Sequence, residues 1–336
     1  MLKTQRVGIQ ELNKLSAIKF LQLLKYFQEE LKGILTKKHI KISEKIDGLG
    51  LRFGLNKEGK FFIESSRSEP VYNIGDFEEY TKNLKNVSIF QINRAKHYDD
   101  ILKLLKNFKQ LQEVLKKYNN KKGIKIIGEC LYIPLAELKD NKIKFVNIYY
   151  DKNKLADKLT FIIFDIIDSE GKQYDNKEKI IKDLKEISNK NIKFTDSLIN
   201  FDKIDLTIEL NNINDLLKNY DNVIKILKSR KKELQMKKQE IIKLIEELKE
   251  KISKKILSLL KPKFGDEFEG VVIELLNKSE KYKIISDIFK TRFKEKQKRF
   301  KENFNFIKFK KFLQEEDITK CLNISLLSFL FYLHVF

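Results

Sequence analysis

Cysteine and histidine are scarce in this chain, which excludes several classes of protein. Its 336 residues include only two cysteines, Cys130 and Cys321, and three histidines. We therefore expect neither a disulfide framework nor a zinc site, and the low cysteine content favours a reducing, cytoplasmic compartment. The N-terminal residues lack the continuous apolar core of a secretory signal. The apolar segment Ile324 to Phe336 is shorter than a membrane span, so no membrane association is predicted.

Glycine and proline are few and unevenly placed. There are three prolines, and ten of the twelve glycines lie at or before Gly171, with none again until Gly265. This distribution predicts a strand-rich first part and a helical middle. The helical predictions are Ile9 to Leu31, Tyr98 to Tyr118, most of Lys177 to Leu260, and a basic helix from Ile288 to Phe312. The predicted strands are His39 to Ile46, Leu49 to Leu55, Lys60 to Ser65, Ile124 to Ile133, Leu159 to Ile167, Phe268 to Leu275 and Tyr282 to Ser286, with an extended stretch around Ile192 to Phe201.

The chain carries a large excess of positive charge, formally +21, supplied mostly by lysine. Such an excess indicates a polyanionic partner, with nucleic acid the leading candidate. The alternative is a solvated surface whose lysines reflect the Lys-, Asn- and Ile-rich composition of AT-rich coding.

The segment EKIDG, Glu44 to Gly48, places a lysine at the end of a predicted strand. Lys45 and Asp47 then project from the same face while Ile46 points inward. A lysine amine attacks phosphorus only when it is unprotonated, and partial burial or neighbouring cations lower the pKa of such an amine. The alternative is a surface lysine before an ordinary turn.

Arginine is scarce in this chain, so Arg52 and Arg67 are singled out as candidate phosphate ligands. Arg67 lies within ESSRS, Glu64 to Ser68. The planar guanidinium binds phosphate in a bidentate manner, which lysine cannot do. The alternative for Arg52 is a solvated arginine in a turn.

Two further segments carry single residues of interest in apolar strands. Glu129 lies within IIGECLY and must pair with a cation, a hydroxyl or a metal unless it faces water on an edge strand. In FIIFDII, alternation puts Phe161 and Asp165 on one face and Phe164 on the other. One of the two phenylalanines is a candidate for stacking on a purine, and the other belongs to the core.

The last motifs are FEGVVIE, which begins at Phe268, and KYK, which begins at Lys281. Glu269 offers a carboxylate of the kind that binds magnesium beside phosphates. Lys281 and Lys283 share one face of the next predicted strand and are spaced to contact one phosphate.

Taken in order, these segments resemble the covalent nucleotidyltransferase superfamily, which contains ATP-dependent DNA ligases, RNA ligases and mRNA capping enzymes. EKIDG is similar to the family's KxDG element, GE to its third element, FDI to the adenine-side strand, EGVV to the fourth and KYK to the fifth.

The resemblance implies an α+β fold in which ATP binds between two antiparallel sheets of a ligase-type adenylation domain, with flanking helices and a long helical insertion. It makes Lys45 the residue that bears AMP and Glu269 a metal-linked carboxylate. Within the remaining site residues, it makes Phe161 the residue that stacks on the base and Lys281 or Lys283 the lysine that contacts the α-phosphate. The full set of implied nucleotide contacts is Asp47, Arg52, Arg67, Glu129, Phe161, Lys281 and Lys283.

The sequence therefore predicts an ATP-dependent polynucleotide ligase that uses ATP with Mg²⁺, or Mn²⁺ in its place, to join 5′-phosphate and 3′-hydroxyl ends of nucleic acid. The alternatives are a capping-type guanylyltransferase that uses GTP and a non-catalytic nucleic-acid-binding relative. The predicted organisation is an N-terminal helical segment (1–38), an adenylation domain (39–175 and 263–290), a largely helical insertion (176–262) that either clamps nucleic acid or is structural, and a basic helical tail (291–336).

Overall fold

The computed structural model describes residues 9–31, 40–65, 68–77, 79, 89–119, 121–145, 147–174, 176–199, 214–275 and 280–303. These residues form a mixed α+β protein with thirteen strands and eight α-helices. They fall into two units. Unit 1 contains the described residues up to Asp47 with Ile148–Asp151 and Ser197–Lys290, and unit 2 contains Gly48–Asn147, Lys152–Asp196 and the described residues from Thr291.

Unit 1 is built on a five-stranded sheet, sheet A, with the order β1-β13-β12-β2-β11. The pairs are antiparallel except β1 with β13, which is parallel. Its strands are β1 (Gln10–Glu11), β2 (Ile40–Lys45), β11 (Leu198–Ile199), β12 (Gly270–Leu275) and β13 (Glu280–Ile285), and the short strand β8 (Tyr149–Asp151) also belongs to unit 1.

Helices cover one face of sheet A because its strands alternate. Ile40 and Ile42 of β2 are buried, whereas Lys41, Ser43 and Lys45 lie on the other, half-buried face. The helices of unit 1 are α1 (Ala17–Leu31), α5 (Asn214–Lys218), α6 (Tyr220–Lys228) and α7 (Gln235–Leu259). Their apolar side chains share one core with the inward residues of sheet A.

Helix α7 is an integral part of unit 1, which favours the structural alternative for this part of the 176–262 segment. Its buried side chains, among them Ile245 and Ile252, lie in the core of the unit. The buried Lys249 donates to the carbonyl of Leu15 at 2.6 Å, and Ser253 Oγ donates to Asn13 Oδ1 at 2.8 Å. The helix is thereby tied to the chain before α1.

Unit 2 is built on a second five-stranded sheet, sheet B, with the order β10-β9-β5-β3-β4. Its strands are β3 (Leu49–Leu55), β4 (Phe61–Ser65), β5 (Ile124–Tyr132), β9 (Leu159–Ile167) and β10 (Ile192–Asp196). Only the edge pair β10 with β9 is parallel. A hairpin of β6 (Glu137–Lys139) and β7 (Lys142–Lys144) also belongs to this unit.

The core of unit 2 lies between one face of sheet B and three helices, α2 (Ile89–Lys106), α3 (Lys109–Tyr118) and α4 (Lys177–Glu186). Phe53, Phe161 and Phe194 are fully buried there. The opposite face of sheet B carries polar side chains, including Arg52, Glu64, Lys125 and Glu129. The last described helix, α8 (Asp287–Asn303), spans the boundary between the two units in the chain.

Two of the predicted helices differ from those in the structure, and one predicted segment is divided between the two units. The helix predicted from Ile9 begins at Ala17, because Ser16 caps it through Lys19 N–H and residues Gln10–Glu11 join the edge of sheet A. The helix predicted from Tyr98 to Tyr118 is two helices that meet at Asn107 and Phe108. The elements of the predicted 176–262 insertion are divided between the units, since α4 and β10 belong to unit 2 and the helices from α5 to α7 belong to unit 1.

The NKEG turn between β3 and β4 forms the predicted hairpin. Asn56 Oδ1 accepts the Lys60 N–H at 2.8 Å, and Gly59 adopts φ 77°, in the left-handed region that glycine favours. Among the described helices, none combines the length and hydrophobicity needed to cross a bilayer.

Candidate active site

The most prominent polar contact of unit 1 joins Lys45 and Glu269. Lys45 is the last residue of β2, and its Nζ lies 2.6 Å from Oε1 of Glu269. The Lys45 side chain is 21% exposed and that of Glu269 is 9% exposed. The structure therefore brings the predicted nucleophile and the predicted metal-linked carboxylate into direct contact, and Lys45 is not a surface lysine.

Strand pairing explains this contact. Gly270 begins β12 directly opposite Lys45, which places Glu269 at the entrance to the strand beside the lysine. A Cβ atom at Gly270 would lie 2.0 Å from the Ile284 carbonyl oxygen, so only glycine allows the two strands to approach this closely. Ser286, just after β13, holds the residues that precede β12, since its N–H donates to the Glu269 carbonyl at 2.8 Å and its hydroxyl to the Phe268 carbonyl at 2.7 Å.

Two buried side chains hold the backbone around the pair. Glu44, on the inward face of β2, accepts the N–H of Lys263 at 2.6 Å and so anchors the segment that leads to Glu269. Tyr150 is fully buried, and its hydroxyl accepts the N–H of Asp47 at 2.8 Å. Neither role was predicted from the sequence.

Glu269 titrates abnormally because of where it lies. Burial raises the pKa of its carboxyl, and the negative charge of Asp47 raises it further. The positive charges of Lys45 and Lys283, together with the hydrogen bond from Lys45, act in the opposite direction without cancelling the effect of burial. Glu269 thus accepts a proton more readily than an exposed glutamate.

The structure distinguishes the two lysines of the KYK motif. Both lie on the half-buried face of β13, as predicted. Lys283 acts on Glu269 through its charge, whereas Lys281 forms an ion pair with Glu274 at 3.0 Å. Lys283 is therefore the one associated with the Lys45–Glu269 pair.

The carboxylates near Lys45 suit a magnesium ion. Glu269 and Asp47 provide oxygen ligands, and they are close enough for the charge of one to raise the pKa of the other. Mg²⁺ is commonly held by one or two carboxylates with the remaining ligands from phosphates and water. Such a site does not require a larger cluster, and within the described ranges no group of three or more His, Cys, Asp and Glu residues could hold a metal.

In unit 2, Glu129 lies on the central strand of sheet B, so the alternative of an edge-strand glutamate is wrong. Its Oε2 accepts the N–H of Gly48 at 3.1 Å. A Cβ atom on Gly48 would lie 2.8 Å from the carbonyl oxygen of Cys130, so glycine is needed where this backbone passes β5. Glu129 thus fixes the position of Gly48, the glycine of the KxDG element.

Arg52 lies within β3 rather than in a solvated turn. Its Nη1 is 2.9 Å from Oε1 of the buried Glu64, and Lys125 Nζ reaches the same oxygen at 2.9 Å. Glu64 and Lys125 were not singled out from the sequence, although Glu64 opens the ESSRS motif. Arg67, from the same motif, lies outside the described residues.

The base-stacking role predicted for Phe161 is wrong. Its side chain is fully buried in the core of unit 2, with its ring 4.8 Å from that of Phe53 in an edge-to-face arrangement. The predicted alternation failed because Phe164 is an extra residue: Ile163 pairs with Gly128 and Asp165 with Ile127. This bulge moves Asp165 to the face opposite Phe161 and leaves Phe164 38% exposed.

No family model matches the chain, and no match was found among curated proteins.

Proposed function

We propose that this protein is an ATP-dependent polynucleotide ligase that acts through a covalent lysyl-AMP intermediate on Lys45. The observation that carries the proposal is the contact of Lys45 with Glu269, in a chain whose motifs follow the order of the nucleotidyltransferase superfamily. The motifs divide between two sheets: EKIDG, EGVV and KYK contribute to sheet A, and GE and FDI to sheet B. This distribution supports a ligase-type adenylation fold.

In the first step, the Lys45 amine attacks the α-phosphorus of ATP. A nitrogen–phosphorus bond forms, and the bond between that phosphorus and the pyrophosphate oxygen breaks. The attacking amine must lose a proton, and the Glu269 carboxylate, 2.6 Å from Nζ and with a raised pKa, is positioned to accept it.

Lys283 lies on the half-buried face of β13, and its positive charge acts on Glu269. The same charge would attract the phosphate oxygens of ATP and stabilise them in the transition state. Asp47, joined by Glu269 once that carboxyl has lost its proton, would hold Mg²⁺, which supplies positive charge that neutralises the phosphates and disfavours an ammonium on Lys45.

In the second step, an oxygen of a 5′-phosphate end attacks the phosphorus of the bound AMP and releases Lys45. The 3′-hydroxyl of the second strand then attacks the 5′-phosphate, and AMP leaves. Positioning and charge neutralisation dominate such in-line transfers, in agreement with a site made of lysines and carboxylates.

The test is incubation of the protein with labelled ATP and Mg²⁺, followed by acid quenching. We expect an acid-stable, lysine-linked label in the wild type and none in Lys45→Ala or Lys45→Arg. A labelled protein that then seals a nicked duplex carrying a 5′-phosphate completes the assignment. An unlabelled wild type, or a labelled Lys45→Ala variant, would overturn it, and labelling by GTP instead of ATP would indicate a guanylyltransferase.

A further inference from the structure

A second charged cluster lies in unit 2, on the face of sheet B that is turned away from helices α2, α3 and α4. Glu64 forms its centre, with a side chain only 5% exposed. Its Oε1 lies 2.9 Å from Arg52 Nη1 and 2.9 Å from Lys125 Nζ. One buried carboxylate oxygen thus orients two cations from neighbouring strands.

The strand register shows how this arrangement is built. Glu64 pairs with Arg52 directly across the sheet, while Lys125 comes from the next row, opposite Gly54. Because Gly54 has no side chain, Lys125 can extend over the ring of Phe62, 5.6 Å from its centroid, to reach Glu64. A Cβ atom at Gly54 would lie 1.8 Å from the Ile124 carbonyl oxygen, so the strands require glycine at this position.

The cluster has more positive charge and more donors than Glu64 needs. Two cations against one carboxylate leave one positive charge. A guanidinium has five N–H donors and an ammonium three, and each spends one of them on Glu64 among the described residues. The Arg52 and Lys125 side chains are 24% and 22% exposed, so their remaining donors are open to a ligand.

We infer that Arg52 and Lys125, positioned by Glu64, form a phosphate-binding site on sheet B. A planar guanidinium beside a compact ammonium suits the several oxygens of a phosphate group. The inference rests on the proposed function only for the source of that phosphate. The two sources are the terminal phosphates of the nucleoside triphosphate and a phosphate of the polynucleotide.

Direct binding tests the site without requiring any reaction. The probes are inorganic tripolyphosphate, followed by calorimetry, and a 5′-phosphorylated oligonucleotide, followed by fluorescence anisotropy. The test variant is Lys125→Met, which leaves the Arg52–Glu64 pair in place, and Lys125→Arg is the rescue. Lys103→Met is the matched control, since Lys103 is exposed on α2, which packs against the other face of sheet B.

We expect Lys125→Met to weaken at least one probe about tenfold, the size expected for a lost charge-assisted hydrogen bond. Lys125→Arg should restore binding, and Lys103→Met should bind as the wild type does. Loss confined to tripolyphosphate assigns the site to the triphosphate. Loss confined to the oligonucleotide, with a salt slope smaller by about 0.7 to 0.9, assigns it to the polynucleotide.

The inference is overturned if Lys125→Met binds both probes as the wild type does, or if Lys103→Met loses as much affinity. A loss of thermal stability without a loss of binding would likewise assign the cluster to folding alone. Because no labelling of Lys45 is measured, failure of the ligase proposal would leave these outcomes unaffected.

Discussion

Replacing Glu269 with glutamine separates the chemical role of the Lys45–Glu269 pair from its structural one. The substitution keeps the shape of the side chain and removes its negative charge, 2.6 Å from Lys45 Nζ. The matched control is Glu274→Gln. Glu274 lies on the same strand and pairs with a lysine at 3.0 Å, but its side chain is 25% exposed.

The structure sets the expected magnitudes. Breaking a fully buried ion pair from one side costs about 3–5 kcal/mol. Because Lys45 is 21% exposed and can regain water, and because burial already disfavours the charge of Glu269, we expect a loss of only about 0–1 kcal/mol for Glu269→Gln, as for Glu274→Gln. Lysyl-AMP formation should fall about 100-fold or more in Glu269→Gln, as for the loss of one preorganised electrostatic group, and should stay close to wild type in Glu274→Gln.

The assay measures the initial rate of acid-stable label from ATP, with thermal unfolding of the same preparations as the check on folding. A temperature at which all three proteins are fully folded keeps the two effects apart. If Glu269→Gln becomes labelled at the wild-type rate while its melting temperature falls, the pair is structural and Glu269 is neither the proton acceptor nor a metal ligand.

Three further predictions concern Lys283, the pH dependence of stability, and the two phenylalanines of β9. Lys283→Met should slow lysyl-AMP formation about tenfold or more, and Lys281→Met only slightly, because Lys283 is the lysine whose charge acts on Glu269; rates at saturating ATP would compare them. Burial raises the pKa of Glu269 above 4.5, so the protonated side chain stabilises the folded state relative to the ionised one. This contribution to the free energy of unfolding is complete below pH 4.5 and is lost as the pH rises through the folded-state pKa. Denaturant unfolding at increasing pH from 4.5 upward should show the wild type losing stability relative to Glu269→Gln. Phe161→Leu should cost about 1–2 kcal/mol by chemical denaturation with the KM for ATP unchanged, whereas Phe164→Ala, at an exposed position, should leave stability nearly unaltered.

Strand alternation predicted that Lys281 and Lys283 share one face, and the structure has them on one face of β13. Alternation alone does not place Glu269 beside Lys45; that contact follows from the pairing of β2 with β12, in which Gly270 lies opposite Lys45. Sequence could not show that Glu274 would pair with Lys281 and leave Lys283 near the pair. That depends on the register between β12 and β13, which places Lys281 opposite Glu274.

The failures have equally local causes. A single extra residue at Phe164 reverses the alternation of β9, and no composition signal in an apolar strand marks such a bulge. The sequence pattern predicted helix within Lys177 to Leu260 but could not indicate that Ile180 and Leu184 of α4 pack in the core of unit 2. Long-range packing decides to which unit a helix belongs, and the structure assigns α4 to unit 2 and α7 to unit 1.

A structural role alone gives a weak account of the Lys45–Glu269 pair. Taking two charges out of water costs several kcal/mol per ion, and apolar side chains of similar size often give equal or greater stability. Burial and Asp47 already raise the pKa of Glu269, so the carboxylate is held in a place that disfavours its own charge. Such an arrangement becomes favourable when a proton or a cation arrives there. Lysyl-AMP formation would supply both, because the Lys45 amine must give up its proton and the phosphates of ATP arrive with Mg²⁺.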